Sequence, residues 1–556
     1  MSATAARSDL ALGFAAHVGG WAKARGAPAE AVKALEAAAA EVSAATEQGS
    51  VCIPLAGELR SMLLASRMVA TPESGETLPL VLDGANRLYL RRYFDYELRL
   101  ARNLLGRAGS LAQQPLQLRL DETPDPQRMA VDLAMRRRLA VVSGGPGTGK
   151  TTTVALLLAR ILEEKPDARI ALAAPTGKAA ARLMDTLRER TATLPERIRA
   201  QMPTESHTIH RLLGATAEPG RFRHDAAHAL ALDVLVVDEA SMLDLSLATH
   251  LVEAVPAHAR LVLLGDKDQL AAVEAGSVFA ELAAKERSPL AHCVVWLTES
   301  HRFPATSGIG RLAADINAGE PERALHWMTH GANESVTWID DAGAEPGLAA
   351  ASRMLQGYEA YVEAVRKDAL DRRAAFRAFD SFRVLCAMRE SPRGVRALNA
   401  TLGRHIRSAL DHPLDPGGRL PWYPGRAVMV QRNDYVLRVF NGDTGICLPA
   451  DDGSLAVWFA DREGTFRAIA PSRLPEHEDA WASTVHKAQG SEFETLLCML
   501  PAKDNPGMVR ELLYTAVTRA RRHVALAGSA EAFRTMCLRR SERHAGLLDR
   551  MRERTA

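Results

Sequence analysis

The sequence of 556 residues lacks a strong net charge, because 69 Lys and Arg against 67 Asp and Glu leave a formal charge of only +2. No global basic field therefore marks a nucleic-acid-binding protein, and any DNA path must be a local groove. The sequence also lacks a Cys-x-x-Cys pair, since its six cysteines lie far apart. We therefore expect no zinc site, no disulfide framework, and a reducing cytoplasmic setting.

Long apolar segments are missing as well. No run approaches the roughly 18 apolar residues of a membrane span, and no apolar segment follows the first charges at the N-terminus. We therefore expect a protein that is neither exported nor membrane-spanning. There is no internal repeat and no Asp-x-Glu-x-Lys nuclease cluster, so any nuclease activity would belong to a partner. The 47% hydrophobic and 24% charged residues describe an ordinary globular protein.

The segment GGPGTGKT at residues 144–151 lies between an apolar strand-like run and a helix-like run. This order is typical of a phosphate-binding loop, whose glycines let backbone N–H groups surround a polyphosphate. Lys150 reaches the β- and γ-phosphates, and the Thr151 hydroxyl can ligate Mg²⁺. The motif predicts ATP and Mg²⁺ as cofactors. The residues assigned to ATP here are Gly144, Gly145, Pro146, Gly147, Thr148, Gly149, Lys150, Thr151 and Thr152.

Polar side chains follow two later strand-like runs. DVLVVDEAS (233–241) ends at Asp238, which can hold the Mg²⁺ shell with Thr151, and at Glu239, which can orient or deprotonate the attacking water. LVLLGDKDQL (261–270) brings Gln269 to the same sheet edge, where it can sense the γ-phosphate. Together with Lys150, these side chains are predicted to be catalytic.

Arginines complete the predicted catalytic set. An arginine supplied across a cleft stabilises charge on a transferring phosphoryl group. LTESHRF (297–303) presents Arg302 after a strand, and TAVTRARR (515–522) presents Arg519 and Arg521. Arg302 and Arg519 are the arginine-finger candidates, and Arg521 is less favoured. Upstream of the loop, the amide of Gln127 can pair with the adenine edge, although a solvent-facing glutamine is the alternative.

Three segments carry hydroxyl, amide, His and Lys groups that suit phosphates and sugars better than base edges. They are APTGKAAARL (174–183), SHTIHRLLG (206–214) and STVHKAQGSEFE (483–494). We therefore expect single-stranded nucleic acid, bound with little sequence preference.

The chain divides by pattern into an N-terminal part and two α/β cores. Residues 1–110 are Ala-rich and mostly helical in pattern; the segment 86–105 is an amphipathic helix that either packs on its own domain or binds a partner. Apolar strand-like runs separated by helices predict parallel sheets covered on both faces. In the first core, 111–300, these runs are 139–143, 168–174, 233–238, 260–265 and 293–297; in the second, 301–556, they are 383–387, 494–500 and 523–528.

Two insertions interrupt the cores. Residues 214–230 are predicted to be a protruding hairpin or loop. Residues 425–460 read as an antiparallel β unit within a small barrel at about 420–475, with the runs RAVMVQ, YVLRV, ICLPA and LAVWF joined by turn-forming residues.

The ordered set of motifs from about Arg87 to Leu526 resembles the superfamily 1 DNA helicases, and within them the RecD family, the alpha subunits of exodeoxyribonuclease V. The resemblance rests on RLYLRRY, GGPGTGKTTT, APTGKAAARL, TIHRLLG, VVDEASM, LLGDKDQL, LTESHRF, VLCAMRESPRGVRALN, NGDTG, VHKAQGSEF and LLYTAVTRAR. It implies two RecA-like cores that close on ATP, a short hairpin domain at 214–230 and an SH3-like insertion at 425–460. It also implies stepping 5′ to 3′ on single-stranded DNA.

The resemblance also assigns individual residues. The ATP set above is carried over with Gln127 at the adenine, and Glu492 beside Gly490 near the ribose. The side chains expected to touch DNA are Thr176, Lys178, Thr208, His210, Thr484 and His486. The N-terminal domain is expected to dock on RecB-like and RecC-like subunits, in a heterotrimer that processes duplex DNA ends for recombinational repair.

Two alternatives stay open at this point. Stand-alone relatives carry a longer N-terminal extension with helix–hairpin–helix elements, and the roughly 110 residues before the core lack the repeated Gly-containing hairpins that such elements need. A non-translocating, ATP-dependent clamp or regulatory subunit is the other alternative. The presence of Glu239, Gln269, Arg302 and Arg519 together argues against it.

Overall fold

The computed structural model arranges the chain as an N-terminal unit, two parallel-sheet cores and an antiparallel β unit. It describes residues 8–109, 125–216, 218, 220–284, 287–303, 307–331, 333–412, 421–434, 436–461 and 465–555. All six cysteines are unpaired and buried. Within these ranges no helix has the length and apolar character needed to span a membrane. The prediction of a mixed α/β fold with parallel sheets is confirmed.

The N-terminal unit packs four helices with a four-stranded sheet of order β1-β4-β3-β2, in which only the β2–β3 pair is parallel. Residues 1–110 were predicted to be mostly helical, and the structure adds this sheet, which the prediction did not include. The predicted boundary at 110–111 lies outside the described residues. The elements are α1 (Asp9–Ala24), α2 (Ala29–Glu47), β1 (Cys52–Pro54), α3 (Leu59–Ala65), β2 (Val69–Ala70), β3 (Leu80–Leu82), β4 (Arg87–Leu90) and α4 (Arg91–Arg107).

The segment 86–105, predicted to be one amphipathic helix, is a strand followed by a helix. It begins as the central strand β4, and the helix α4 starts only at Arg91. Leu88 and Tyr89 are both fully buried, because a central strand buries side chains on both faces. Leu88 packs with the α1–α2 cluster, whereas Tyr89 packs with the cluster that extends into the first core. Helical spacing therefore does not describe these two residues.

The first core is a six-stranded, entirely parallel sheet of order β10-β5-β9-β8-β6-β7. Every residue of β5 and β8 is buried, as expected for strands covered by helices on both faces. The five predicted runs coincide with β5, β6, β8, β9 and β10. The elements are α5 (Pro126–Arg136), β5 (Leu139–Gly144), α6 (Lys150–Glu164), β6 (Ile170–Ala174), α7 (Gly177–Thr191), α8 (Glu196–Arg199), β7 (His207–Thr208), α9 (Ile209–Leu213), β8 (Val234–Val237), α10 (Leu245–Ala254), β9 (Arg260–Gly265), α11 (Val278–Leu282) and β10 (Val294–Leu297).

The second core contains a five-stranded parallel sheet of order β11-β20-β19-β12-β18 and an antiparallel sheet of order β16-β15-β14-β13-β17. The elements are α12 (Gly308–Ala318), α13 (Pro321–His330), β11 (Val336–Asp340), α14 (Leu348–Gln356), α15 (Glu359–Lys367), α16 (Arg372–Asp380), β12 (Phe382–Cys386), α17 (Val395–Ala409), β13 (Ala427–Val430), β14 (Thr444–Pro449), β15 (Leu455–Ala460), β16 (Phe466–Ile469), β17 (His477–Asp479), β18 (Ala482–Thr484), β19 (Phe493–Met499), α18 (Arg510–Val517), β20 (Ala520–Gly528), α19 (Ala530–Leu538) and α20 (Leu547–Thr555).

The antiparallel unit confirms the predicted character of residues 425–460, with one correction. The run YVLRV, predicted as a strand, forms a turn closed by a bridge between Asp434 and Val439; Tyr435 lies outside the described residues. The Asp434 side chain accepts hydrogen bonds from the backbone N–H groups of Val436 and Leu437, which holds the turn. The strands β16 and β17, outside the four predicted runs, complete the sheet.

The predicted insertion at 214–230 is a short hairpin-like turn that folds back on the first core. Ala215 and Phe222 form an antiparallel bridge, and the Arg223 N–H donates to the Gly214 carbonyl at 3.0 Å. Phe222 packs against the core cluster of that domain. Residues 217 and 219 lie outside the described residues.

The last helix leaves the second core. After α19 the chain returns to the N-terminal unit, where α20 packs against α4. The Val51 N–H donates to the His544 carbonyl at 2.7 Å, and Arg550 pairs with the buried Asp83 at 2.5 Å. The prediction that residues 301–556 form one core therefore needs correction at its C-terminal end.

Candidate nucleotide-binding and catalytic site

The loop between β5 and α6 has the backbone of a phosphate cradle. Gly147 and Gly149 adopt positive φ angles of 77° and 88°. A Cβ added at Gly149 would lie 2.2 Å from the Gln127 amide nitrogen, and one at Gly147 would lie 2.3 Å from the Arg302 Cβ. The Lys150 ammonium donates to the carbonyls of Gly144 and Gly145 at 2.6 and 3.1 Å. Glycine is thus required by both backbone conformation and close packing.

A cleft of about 500 Å³ opens beside this loop, between the two cores. The first core contributes the loop, the carboxylates after β8 and the glutamine after β9. The second core contributes Glu492 and Arg519. The predicted residues that line the cleft are Gln127, Pro146, Gly147, Gly149, Lys150, Thr151, Thr152, Asp238, Glu239, Gln269, Arg302, Glu492 and Arg519. The structure thus brings all the predicted catalytic side chains together.

The remaining predicted nucleotide residues lie behind the cleft wall or outside it. Gly144 and Gly145 form the base of the loop. Thr148 is buried, and its hydroxyl donates a hydrogen bond to the Gly145 carbonyl at 2.9 Å. Gly490 instead lies against the first turn of α7, where an added Cβ would be 3.1 Å from Ala179 and 3.2 Å from the Thr176 hydroxyl.

The acidic pair after β8 sits at the centre of the sheet edge. The Asp238 N–H donates to the Ala173 carbonyl at 2.9 Å, and its side chain accepts the Glu239 N–H at 2.9 Å. Glu239 adopts a left-handed backbone with φ of 52°. Burial raises the pKa of Asp238 to about 6, the Glu239 charge adds to this, and the Lys150 charge opposes it. A bound cation would favour the ionised form of Asp238.

Two buried side chains bring unpaired polar atoms to the cleft. Arg519, 1% exposed, extends from the second core until its Nη1 lies 3.9 Å from Glu239 Oε1. Gln269 donates from its amide to Asp266 at 3.1 Å. Within the described part of the chain, Arg519 Nε and Nη1 and Gln269 Oε1 have no hydrogen-bond partner. Since buried polar groups are normally paired, these atoms fit an anion and an attacking water.

Glu492 is surrounded by guanidinium groups. Its Oε1 accepts from both Arg182 and Arg302, and its Oε2 accepts from Arg521 Nε at 3.0 Å. The carboxylate is almost fully buried. Although burial alone would raise the pKa of Glu492, the charges of Arg182 and Arg302 hold it down at about 2. The residue predicted to approach the ribose is thus, in this structure, the common partner of three arginines.

Gln127 lies at the other end of the cleft. Its amide nitrogen is 3.4 Å from the Thr148 carbonyl and 3.4 Å from His301 Nε2. The side chain therefore borders the loop rather than pointing freely into solvent, and its amide edge remains part of the cleft wall.

The predicted DNA-contacting threonines share one structural position. Thr176 follows β6, Thr208 ends β7 and Thr484 ends β18, so all three lie at carboxyl ends of parallel strands. Each hydroxyl accepts a backbone N–H three residues on, at 3.2 to 3.3 Å. The contact between Gly490 and Thr176 brings the two cores together at this edge.

The three basic candidates are placed differently from one another. His210 is exposed, with its ring 6.0 Å from that of Phe222. His486 is half-buried, and burial lowers its pKa. Lys178 is half-buried between the first core and the antiparallel unit, where its ammonium donates to the Thr444 hydroxyl at 3.3 Å. Burial lowers the pKa of Lys178.

Buried hydrogen bonds join the two cores beside the cleft. The Leu270 N–H donates to the Thr515 hydroxyl at 2.8 Å, and the Gln489 amide donates to the Leu270 carbonyl at 2.7 Å. The Tyr514 hydroxyl donates to Asp266 at 3.0 Å. The segment that carries Gln269 is therefore bonded directly to α18 and to the loop before β19.

Sequence reasoning missed Arg182, Tyr514 and Thr515. Arg182 belongs to a segment that was assigned to DNA as a whole, and the helical period alone could have placed it on another face from Thr176. Tyr514 and Thr515 precede Arg519 in a segment whose predicted functional residues are its arginines. No signal within the sequence pairs them with residues about 245 positions away.

Two family models and several relatives match the chain. Residues 123–341 match a family model described as an AAA domain, and residues 479–527 match the UvrD-like helicase C-terminal domain. It is 40% identical to the RecBCD enzyme subunit RecD of Mycobacterium tuberculosis, over 91% of this chain and 89% of the relative. It is 38% identical to the same subunit of Mycolicibacterium smegmatis, over 93% and 94%.

Two further similarities are more distant. The ATP-dependent RecD2 DNA helicase of Deinococcus radiodurans is 35% identical over 77% of this chain, but only 52% of that longer relative is covered. Among solved structures, a Bacteroides Pif1 helicase in complex with ADP-AlF3 and ssDNA is 16% identical over 78% of this chain and 98% of that one, with a TM-score of 0.41. This structural similarity is low, and the family assignment depends on the sequence relatives.

Proposed function

The chain belongs to the RecD family of RecBCD enzyme subunits, and from that premise we propose that it is the ATP-dependent DNA helicase subunit of a RecBCD-type complex. In this role it hydrolyses ATP between its two cores and moves along single-stranded DNA, with 5′ to 3′ polarity. The RecB-like and RecC-like subunits are its partners in processing duplex ends. Nuclease activity resides on a partner.

One observation carries the proposal: the cleft is completed by side chains of both cores. Lys150 and Glu239 come from the first core, and Arg519 from the second, with its guanidinium 3.9 Å from Glu239. A site shared in this way changes shape when the cores move, so closure and hydrolysis are coupled. A phosphate loop on one core alone would bind a nucleotide without that coupling.

The residue roles follow from position and chemistry. Lys150 and the loop N–H groups hold the phosphates, Glu239 positions the attacking water, and Gln269 senses the γ-phosphate. Arg302 and Arg519 stabilise charge on the transferring group. Thr151 and Asp238 would hold Mg²⁺, which when bound neutralises charge on the phosphate oxygens. Gln127 would contact the adenine edge and Glu492 would approach the ribose, whereas Gly490 lies outside the cleft, against Thr176 and Ala179.

Single-stranded DNA would cross the carboxyl ends of the parallel strands. Thr176 and Thr208 on the first core, and Thr484 on the second, would contact its backbone. Lys178, His210 and His486 would supply the basic and aromatic groups beside them. The turn at 214–230 would correspond to the hairpin domain of the family, and the antiparallel unit to an SH3-like insertion.

The proposal that the chain is an ATP-driven DNA motor is tested with Lys150→Gln. We expect DNA-stimulated ATPase to fall by orders of magnitude, because the charge that holds the β- and γ-phosphates is lost, while single-stranded DNA binding survives. Lys165→Gln is the matched control, since Lys165 lies at the other end of α6 and pairs with Asp233 on the surface. Hydrolysis by the wild type that does not respond to single-stranded DNA would refute the motor.

Polarity and assembly need two further measurements. Unwinding of duplexes with a 5′ tail but not a 3′ tail is expected, and the reverse preference would contradict the assigned direction. Native purification of the tagged chain should recover two large partner subunits. Recovery of the chain alone, fully active as a helicase, would favour the stand-alone form.

A further inference from the structure

The three arginines around Glu492 do not have equal roles, because two of them share one oxygen. Arg182 and Arg302 both donate to Oε1, whereas Arg521 holds Oε2 at 3.0 Å. Arg182 lies on α7. Arg302 follows β10, and its neighbours Ser300 and His301 are bonded to the phosphate loop, so Arg302 lies with the first core although the predicted boundary at 300–301 assigns it to the second. Glu492 and Arg521 belong to the second. The carboxylate is therefore held from both sides of the cleft.

Arg302 is anchored by its backbone next to the phosphate loop. The His301 N–H donates to the Gly147 carbonyl at 2.9 Å, and the Ser300 hydroxyl donates to the Pro146 carbonyl at 2.8 Å. Its guanidinium nevertheless points to Glu492. A side chain rooted beside the loop can thus exchange one anion for another, the carboxylate for a phosphoryl group, through rotation of its own torsion angles.

Such an exchange requires that Glu492 keep a partner when Arg302 leaves. Arg521 pairs only with Oε2, so without Arg182 the departure of Arg302 would leave the buried Oε1 without a partner. An unpaired buried carboxylate oxygen is costly, so Glu492 would then retain Arg302 instead of releasing it. Arg182 already bonds the oxygen that Arg302 would vacate. Its side chain is about one-third exposed and reaches the cleft from the side of α7.

We propose that Arg182 is a positioning residue that neutralises Glu492 and thereby frees Arg302 to contact the transferring phosphoryl group. The inference rests on the proposed function, which makes Arg302 an arginine finger. It gives Arg182 a role that acts through Glu492 and not directly on the phosphoryl group. It also means that Glu492 binds the Arg302 guanidinium before catalysis, until the phosphoryl group competes for it.

The test compares binding of ADP with binding of ADP plus aluminium fluoride, which mimics the transferring group, by isothermal titration calorimetry on the full chain. In Arg182→Met, ADP affinity should stay close to that of the wild type. The factor by which aluminium fluoride increases that affinity, here called the aluminium fluoride gain, should fall about tenfold. The kcat of DNA-stimulated hydrolysis should fall by a similar factor with little change in KM. Arg188→Met is the control, since Arg188 lies on the outer face of the same helix and contacts Asp185 and Thr204.

A double variant separates this role from simple structural damage. In Arg182→Met/Glu492→Gln no carboxylate remains to retain Arg302, so the aluminium fluoride gain should return to that of Glu492→Gln alone. Arg182→Lys should recover part of the loss, because it restores one positive charge. The inference would be overturned if the double variant lost the aluminium fluoride gain by the product of the two single-variant losses. It would also be overturned if Arg182→Met lost ADP affinity by the same factor as it lost the gain.

Arg302→Met distinguishes this failure from failure of the proposed function. If Arg302→Met retains the full aluminium fluoride gain, the role of Arg302 fails and the inference fails with it. If Arg302→Met loses the gain while Arg182→Met keeps it, only the inference on Arg182 fails.

Discussion

Gly149 illustrates how much of the site depends on single residues. Its φ of 88° is the left-handed conformation that caps the start of α6, and the Gln127 amide fills the space that a side chain would need. Backbone conformation and packing thus both require glycine. The loop N–H groups can surround phosphates only while this conformation is kept.

Gly149→Ala should therefore weaken nucleotide binding without unfolding the protein. An alanine in the left-handed region costs about 1–2 kcal/mol, and the added Cβ displaces Gln127. We expect ADP affinity, measured by calorimetry, to fall at least about tenfold, with a small change in apparent Tm. Gly13→Ala on α1 is the control, since no heavy atom lies within 4 Å of its added Cβ. Equal ADP affinity in both variants would contradict the prediction.

The site residues differ in how far sequence alone could place them. Lys150, Asp238 and Gln269 each follow a buried strand of one parallel sheet, and such strand ends meet at one edge, so their proximity could be predicted. The partners of Glu492 could not. Its contact with Arg182 spans 310 residues, and the geometry that joins them arises only when the two cores pack.

At the scale of elements, the apolar central strands of the first core could be predicted, whereas a short strand joined directly to a helix could not. β5, β8 and all of β9 except Arg260 are buried. β4 has only four residues and α4 begins at the next one, so the apolar residues of β4 also fit helical spacing. No local sequence pattern predicts that α20 packs against α4. This packing depends on charges buried between distant elements, such as Asp83 with Arg550.

Glu97 at the α4–α20 junction should make this docking sensitive to pH. Glu97 is fully buried and accepts the Gly546 N–H at 2.7 Å. Burial raises its pKa to about 7, although Arg550 and Arg87 oppose the shift. A raised pKa in the folded state means that the folded chain binds the proton more tightly, so this group's contribution to stability declines from about pH 4.5 to about pH 7.

Glu97→Gln removes that titration while keeping an acceptor for Gly546. The apparent Tm of the variant minus that of the wild type should therefore increase between about pH 5 and about pH 8. Thermal unfolding at matched ionic strength measures the difference. Glu553→Gln, which changes an exposed partner of Arg550 on α20, is the control. A Tm difference that does not change with pH would contradict the assignment.

At the scale of the whole molecule, the two cores are joined beside the cleft by buried hydrogen bonds to one residue. The Leu270 N–H donates to Thr515 and its carbonyl accepts from Gln489, so both backbone groups of one first-core residue are held by the second core. Leu270 directly follows Gln269. A shift of α18 relative to the first core therefore displaces the segment that carries the γ-phosphate sensor.

Thr515→Val should uncouple the cores while each half of the site stays intact. Valine keeps the shape of threonine but leaves the buried Leu270 N–H without its acceptor, which costs about 1–3 kcal/mol. ADP affinity and basal ATPase should remain near wild type, because Thr515 does not line the cleft. The ratio of ATPase rates with and without single-stranded DNA should fall several-fold. Thr518→Val is the matched control, since Thr518, directly after α18, is also buried but its hydroxyl bonds back to the carbonyls of Tyr514 and Thr515 on that helix, at 2.9 and 3.2 Å. If both variants lose stimulation to the same extent, the loss comes from α18 itself and not from the link between the cores.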